Sequence, residues 1–254
     1  MYNITICHMY PDLLNLYGDY GNIMALKKRL EWRGIDASIK SVSLGDEFLP
    51  GEYDIVFLGG GQDYEQDILH NDLINQKKEA IINAIEDNVV FLCICGGYQL
   101  MGKYYISQNQ KEIECLGAMN HWTVNSEKRN IGNLIFSIEG LKQNPNGYVV
   151  GFENHSGKTY LGDGVSPLGK VIYGCGNNGE DGYEGARYKN VFCSYSHGSL
   201  LPKNPGLTDE LISLALKRKY KDFVSLQPLE DRLETSARET LIKRFLSNNK
   251  SKKA

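Results

Sequence analysis

Two stretches of this sequence are apolar at every position, and both run directly into glycine. Ile55-Val56-Phe57-Leu58 leads into Gly59-Gly60-Gly61, and Val89-Val90-Phe91-Leu92-Cys93-Ile94 leads into Cys95-Gly96-Gly97. A strand with one wet face alternates polar and apolar residues. A strand without alternation is covered on both faces, as in a parallel sheet between two layers of helix. The rest of the first half agrees. Ile4-Thr5-Ile6 and residues 36–42 read as strands, and residues 21–33 and 71–86 have helical spacing, the first ending near Gly34. The expected fold class is α/β, a mostly parallel central sheet with helices on both faces.

From about Gly117 the pattern changes to shorter strands and turns, with strands expected over 134–138, 148–152, 171–173 and 191–195. Amphipathic helices over 208–219 and 229–246 close the chain. No internal repeat and no long linker divides it, so a single domain over residues 1–247 is expected. Residues 248–254 are polar and basic and read as a frayed tail.

The formal charge of −3 is spread along 254 residues, with no basic stripe interleaved with aromatics, which excludes nucleic acid as the natural partner. Every apolar run is far below the roughly 18 residues that span a bilayer, so no membrane insertion is expected. The first residues read as a strand rather than a leader, which places the protein in the cytoplasm. Six cysteines, at 7, 93, 95, 115, 175 and 193, then read as reduced thiols. Cys93 and Cys95 lack a second pair to complete a zinc cage, and no metal is expected.

Chemistry concentrates at Cys93-Ile94-Cys95-Gly96-Gly97-Tyr98-Gln99. A nucleophile held on a sharp strand-to-helix turn needs small residues two before and two after it, because the backbone doubles back there. Cys93 and Gly97 occupy those places around Cys95. Gly96 can direct its N–H at an oxyanion, and the helix start favours the thiolate. A buried cysteine that merely ends a core strand would not need the flanking glycines. Cys93 serves as the internal control, on the strand and packed.

Of the histidines at 8, 70, 121, 155 and 197, His197 follows the strand expected over 191–195, at the end where sites of open α/β sheets gather. It is the expected partner of Cys95, with His155 as the competitor. Gly60 and Gly61 follow a buried strand and could present N–H groups to the same oxyanion. Gly151 to Thr159 imitates a phosphate-binding loop but is one residue too long and is not followed by a helical pattern, so no ATP site is assigned to this chain.

These residues together resemble class I glutamine amidotransferases of the cobyric-acid-synthase-like branch. Within it they are most similar to the glutaminase subunits that serve lipid II isoglutaminyl synthases. The resemblance is carried by residues 15–22, 59–66, 94–99, 151–155, 174–180 and 188–205. It implies that Cys95 attacks the side-chain amide of glutamine while His197 moves the proton, with Gly60, Gly61 and Gly96 around the oxyanion. It further implies that Arg129 and Gln99 contact the substrate. ATP and Mg²⁺ would sit on a Mur-ligase-like (MurT-like) partner, which passes the ammonia to D-glutamate of the peptidoglycan stem. Many members place a glutamate two residues after the histidine; here that position is Ser199. The expectation is therefore that His197 lacks a carboxylate from its own segment, so the pair acts alone or a partner supplies the acid. Two other roles stay open on the residues: a glutaminase for another synthase, such as one amidating a corrinoid, and a hydrolase of γ-glutamyl or peptide bonds. A subunit with a relic elbow is the non-catalytic alternative.

Overall fold

The computed structural model describes residues 2–61, 63–141 and 146–250. Gln62 and residues 251–254 lie outside the described residues. The strands are β1 (Asn3–Met9), β2 (Asp36–Val42), β3 (Ile55–Leu58), β4 (Val90–Ile94), β5 (Tyr104–Ile106), β6 (Glu112–Glu114) and β7 (His121–Ser137). They continue as β8 (Tyr148–Leu161), β9 (Gly169–Tyr173), β10 (Tyr183–Glu184), β11 (Ala186–Tyr188), β12 (Val191–Ser194) and β13 (Ser196–His197). The helices are α1 (Tyr20–Glu31), α2 (Asp63–Asp72), α3 (Lys78–Glu86), α4 (Gly96–Leu100), α5 (Pro205–Lys219) and α6 (Arg232–Lys250).

The central sheet has the order β11-β12-β4-β3-β1-β2. Every pairing is parallel except the edge strand β11, which runs antiparallel to β12. The two apolar runs are its middle strands, β3 and β4, buried throughout. Successive side chains sort to opposite faces, as strand geometry requires. Val56, Leu58, Phe91 and Cys93 join Ile81, Ala84 and Ile85 of α3 in one core. Ile55, Phe57, Val90, Leu92 and Ile94 pack with Ile23, Leu26 and Leu30 of α1 and Leu207, Leu211 and Leu216 of α5 in the other. The α/β reading of the sequence holds.

The second half departs from expectation in extent. β7 and β8 form one antiparallel ribbon from His121↔Leu161 to Ser137↔Tyr148, far longer than the strands expected at 134–138 and 148–152. Residues 125–130 are polar and carry no alternation, and the register shifts between Asn125 and Asn130. The pairing passes from Asn125↔Gly157 to Asn130↔His155, so residues 126–129 bulge out of the ladder and bury no face for hydropathy to reveal. The phosphate-loop imitation, Gly151 to Thr159, lies wholly inside β8. A second sheet, β10-β9-β7-β5-β6, forms on the ribbon, and β8 also pairs with β13.

Two further boundaries move. The helix expected over 71–86 is α2, a π-helical turn at Leu73–Lys77, and α3. At that turn Lys77 bonds Asp72, which also accepts the Tyr10 hydroxyl (2.7 Å) and the Gly45 N–H (2.9 Å), so the irregular turn packs a buried ion pair. The last helix begins at Arg232 and runs to Lys250, so residues 248–250 of the expected tail are helical. Among the described residues no helix is long and apolar enough to cross a membrane.

The chain ends are fastened to α1 by a buried charge cluster. Arg29 bonds Asp209 (Nε, 2.7 Å) and Asp231 (Nη1, 2.6 Å), and Arg33 bonds Asp209 (2.6 Å). Removing one member of such a cluster leaves opposite charges buried and uncompensated, which costs about 3–5 kcal/mol. Arg29→Met is expected to lower stability by roughly 3 kcal/mol or more, read as a fall in the denaturant midpoint with an unchanged slope.

Candidate active site

Cys95 stands between β4 and α4 with φ +50° and ψ −102°. A residue with a Cβ seldom adopts that conformation, so the surroundings must enforce it. The Cys95 N–H donates to Ser194 O of the neighbouring strand (2.9 Å), and its carbonyl accepts the Gln99 N–H (3.0 Å). Two residues on, the Gly97 N–H donates to Gly59 O (3.0 Å), and a Cβ at Gly97 would lie 2.4 Å from Leu58 O. Only glycine allows this approach of the two loops. Two residues before, Cys93 is fully buried on β4 opposite Cys193. α4 has five residues, so its influence on the thiol comes from the first N–H groups rather than from a long helix dipole.

His197 reaches the same place from the other sheet. After Ser194 the chain leaves the central sheet, and β13 pairs with β8, setting His197 opposite Phe152. The side chain is wholly buried. Burial alone would lower its pKa, but the negative charge and hydrogen bond of Cys95, followed by those of Asp19, outweigh it and hold it at about 10. The meeting point is Gly60: a Cβ there would lie 2.7 Å from His197 Cε1, 3.3 Å from Asp19 Oδ2 and 3.6 Å from Cys95 Cβ.

Asp19 is the residue that sequence reasoning missed. Its Oδ2 lies 3.4 Å from His197 Nδ1 and accepts the Gly60 N–H (3.1 Å), and it is fully buried. His197 has Ser199 rather than a carboxylate on its own segment, as expected, but the pair is not left to act alone or to wait for a partner's acid: a carboxylate of the same chain, 178 positions away, stands beside it. The 15–22 segment had been singled out, but nothing in it assigned Asp19 to the histidine. The same contact engages the Gly60 N–H, so that donor is already committed. Gly96 opens α4, where an N–H has no acceptor within its own helix.

The other expected residues fall into two groups. Gln99, one turn along α4, is 6% exposed and donates to the Tyr195 hydroxyl (3.3 Å), which also bonds Thr159 (2.6 Å). It therefore supports the wall behind Cys95. Arg129 is exposed at the register shift of the β7–β8 ribbon, its Nε donating to Asn154 Oδ1 (2.6 Å). Asn154 lies two residues from Phe152 and so on the same face of β8 as the partner of His197. The competitor His155 is buried on the other face, stacked on Tyr195 at 3.7 Å, with its Nδ1 against Gly157 O. Among the described residues no three His, Cys, Asp or Glu side chains come together as a metal cage.

Two more carboxylates emerge only from the structure. Glu184 accepts Ser194 Oγ (2.7 Å) and the Tyr195 N–H (2.8 Å) and so fixes the bend between β12 and β13. Burial pushes its carboxyl up to about 7, against those bonds. Glu153 accepts the N–H groups of Cys175 and Gly176 (2.8 and 3.0 Å), docking residues 174–180 onto β8.

Residues 5–205 match the CobB/CobQ-like glutamine amidotransferase domain. The chain belongs to that family. It is 46% identical over 91% of its length, and 87% of the relative's, to the GatD subunit of lipid II isoglutaminyl synthase (glutamine-hydrolyzing) from Streptococcus pneumoniae. The Staphylococcus aureus subunit of the same name is 39% identical over 99% of this chain and 100% of the relative. A probable cobyric acid synthase from Methanothermobacter thermautotrophicus is 30% identical, over 64% of this chain and 33% of that protein. The fold is shared with PurLQS from Thermotoga maritima, at a TM-score of 0.57 and 15% identity, covering 85% of this chain and 99% of that one. A glutamine amidotransferase from Thermotoga maritima shows it too, at a TM-score of 0.53 and 14% identity over 97% of this chain and 96% of that one.

Within this family site, labelling should separate the thiols. A glutamine-mimicking electrophile is expected to modify the wild type and Cys93→Ala and to leave Cys95→Ala unmodified, as read by peptide mass spectrometry.

Proposed function

We propose that this chain is the glutaminase subunit of a lipid II isoglutaminyl synthase. The observation that carries the chemistry is the convergence of Cys95 and His197 on the bare backbone of Gly60. The Cys95 thiolate attacks the side-chain carbonyl of glutamine, and the oxyanion is received by backbone N–H groups of Gly61 and Gly96. His197, protonated across the neutral range, gives its proton to the departing nitrogen, which leaves as ammonia, and a γ-glutamyl thioester remains on sulfur. Water then attacks the thioester, His197 takes its proton, and glutamate leaves with the thiolate restored. Arg129 holds the glutamine from the ribbon, and Gln99 steadies the wall through Tyr195.

Free ammonia is of use only where a carboxylate has been activated to receive it. The segment here that imitates a phosphate loop is a strand, and on this reading activation falls to a Mur-ligase-like partner that carries ATP and Mg²⁺. The acceptor is D-glutamate of the peptidoglycan stem on lipid II. The relatives that bear the synthase-subunit name match over nearly their whole length. The cobyric acid synthase matches over only a third of its own, so the corrinoid reading has less support.

The test is ATP-dependent amidation of lipid II by the purified complex. Cys95→Ala should lose more than about 10³-fold with glutamine as donor, while ammonium salts still support the reaction. Glutamine-dependent amidation left intact in that variant would refute the reading. The pH profile supplies a second check. His197 is raised from 6.5 to about 10, so its proton is present below that value and lost above it. The alkaline fall in kcat/KM for glutamine should therefore lie near pH 10, not near 6.5.

A further inference from the structure

Ser199 occupies the place where related enzymes put a glutamate, yet the imidazole of His197 does not face an apolar wall. The Ser199 hydroxyl donates to Gly18 O, the carbonyl just before Asp19. A Cβ at Gly21 would lie 2.2 Å from Ser199 Oγ, so the first turn of α1 also approaches Ser199 too closely for any side chain there. Ser199 takes φ +46° to make this contact. Two backbone-directed bonds then lock the loop before α1 to the glycine turn after β3. The Leu16 N–H donates to Gly60 O (3.2 Å), and the Gly60 N–H donates to Asp19 Oδ2 (3.1 Å). Asn22 Oδ1 accepts the Leu201 N–H (2.9 Å), pinning the start of α1 beyond the histidine as well.

We infer that Asp19 is the positioning residue for His197, replacing the missing glutamate from a different element, and that its single oxygen also sets the glycine loop beside the reacting carbonyl. The inference rests on the glutaminase reading above and adds a residue to it. A carboxylate at Nδ1 fixes the tautomer and plane of an imidazole and stabilises its cation, leaving Nε2 for the reacting atoms. Asp19 suits this role because it is fully buried and ion-pair distance from Nδ1. Because the same oxygen holds Gly60, orientation of the proton carrier and of the oxyanion loop depend on one group. Ser199, too short to reach Nδ1 as a glutamate would, clamps the loop that carries the acid.

Cys95 and Asp19 face His197. Lys203, whose pKa is lowered by burial, and His8 both lie within range of the charge on Asp19. Removing the charge on Asp19 withdraws two of the influences that hold the His197 proton, so the histidine should release it at lower pH.

The decisive comparison uses the assembled complex with Asp19→Asn, which keeps a neutral acceptor for the Gly60 N–H, and with Asp19→Ala, which does not. For Asp19→Asn, kcat for glutamine hydrolysis should fall about 10²-fold or more, with KM changed less than about threefold. The alkaline limb should move to lower pH, and the His197 ring followed by nitrogen NMR should titrate earlier. Asp19→Ala should fall further. An unchanged kcat in Asp19→Asn overturns the inference and hands the acid to the partner subunit. Lost activity with an unmoved His197 titration also overturns it, because Asp19 would then be only a packing group. Cys95→Ala keeps the two readings apart: if that variant still hydrolyses glutamine, the glutaminase reading fails, while the His197 titration still judges Asp19.

Discussion

At Gly60 three side chains from distant parts of the chain crowd a backbone position that has room for hydrogen alone. A methyl group there would meet the His197 ring first and then the Asp19 carboxylate. Close packing of this kind is what brings a thiol, an imidazole and a carboxylate into one small volume. In such a volume charges act on one another far more strongly than at a surface. The high proton affinity of His197 follows from it: the buried ring would favour neutrality, and two anionic neighbours reverse that preference. The glycine is therefore as much a part of the site as the groups that surround it.

The two sheets divide the labour. The central sheet supplies Cys95 and the glycine turn, through β4 and β3, and the second sheet supplies His197 through β13. They are joined by the short passage Ser194-Tyr195-Ser196, where Ser194 O accepts the Cys95 N–H and Glu184 accepts from Ser194 and Tyr195. A buried carboxylate at that joint satisfies donors that neither sheet could reach. Glu153 does the same for residues 175 and 176. Glu184 thus ties the passage between the two sheets, and Glu153 ties residues 175 and 176 to β8.

The central sheet was legible because its signal is local: β3 and β4 are covered on both faces, and each is apolar throughout. The elbow at Cys95 was legible for the same reason, since the small residues it needs are adjacent in sequence. The long β7–β8 ribbon was not, because its polar middle bulges out of the ladder at a register shift and carries no alternation. Asp19 was invisible for a different reason. A carboxylate that meets a histidine only after α1 and β13 have docked leaves no periodicity and no spacing to read. Arg129 and Gln99 were located by resemblance, and their surroundings differ: one bonds Asn154 on an exposed ribbon, the other bonds Tyr195 inside.

The matched family region stops at residue 205, yet the ion cluster on α1 draws on Asp209 and Asp231. The two synthase-subunit relatives match 91% and 99% of this chain, so the residues beyond 205 belong to the sequence shared with them. A fragment trimmed at residue 205 would lose Asp209 and Asp231 together with α5 and α6, leaving Arg29 of α1 and Arg33 just beyond it without their carboxylates. The C-terminal extension is consequently a brace for α1, the helix that follows Asp19.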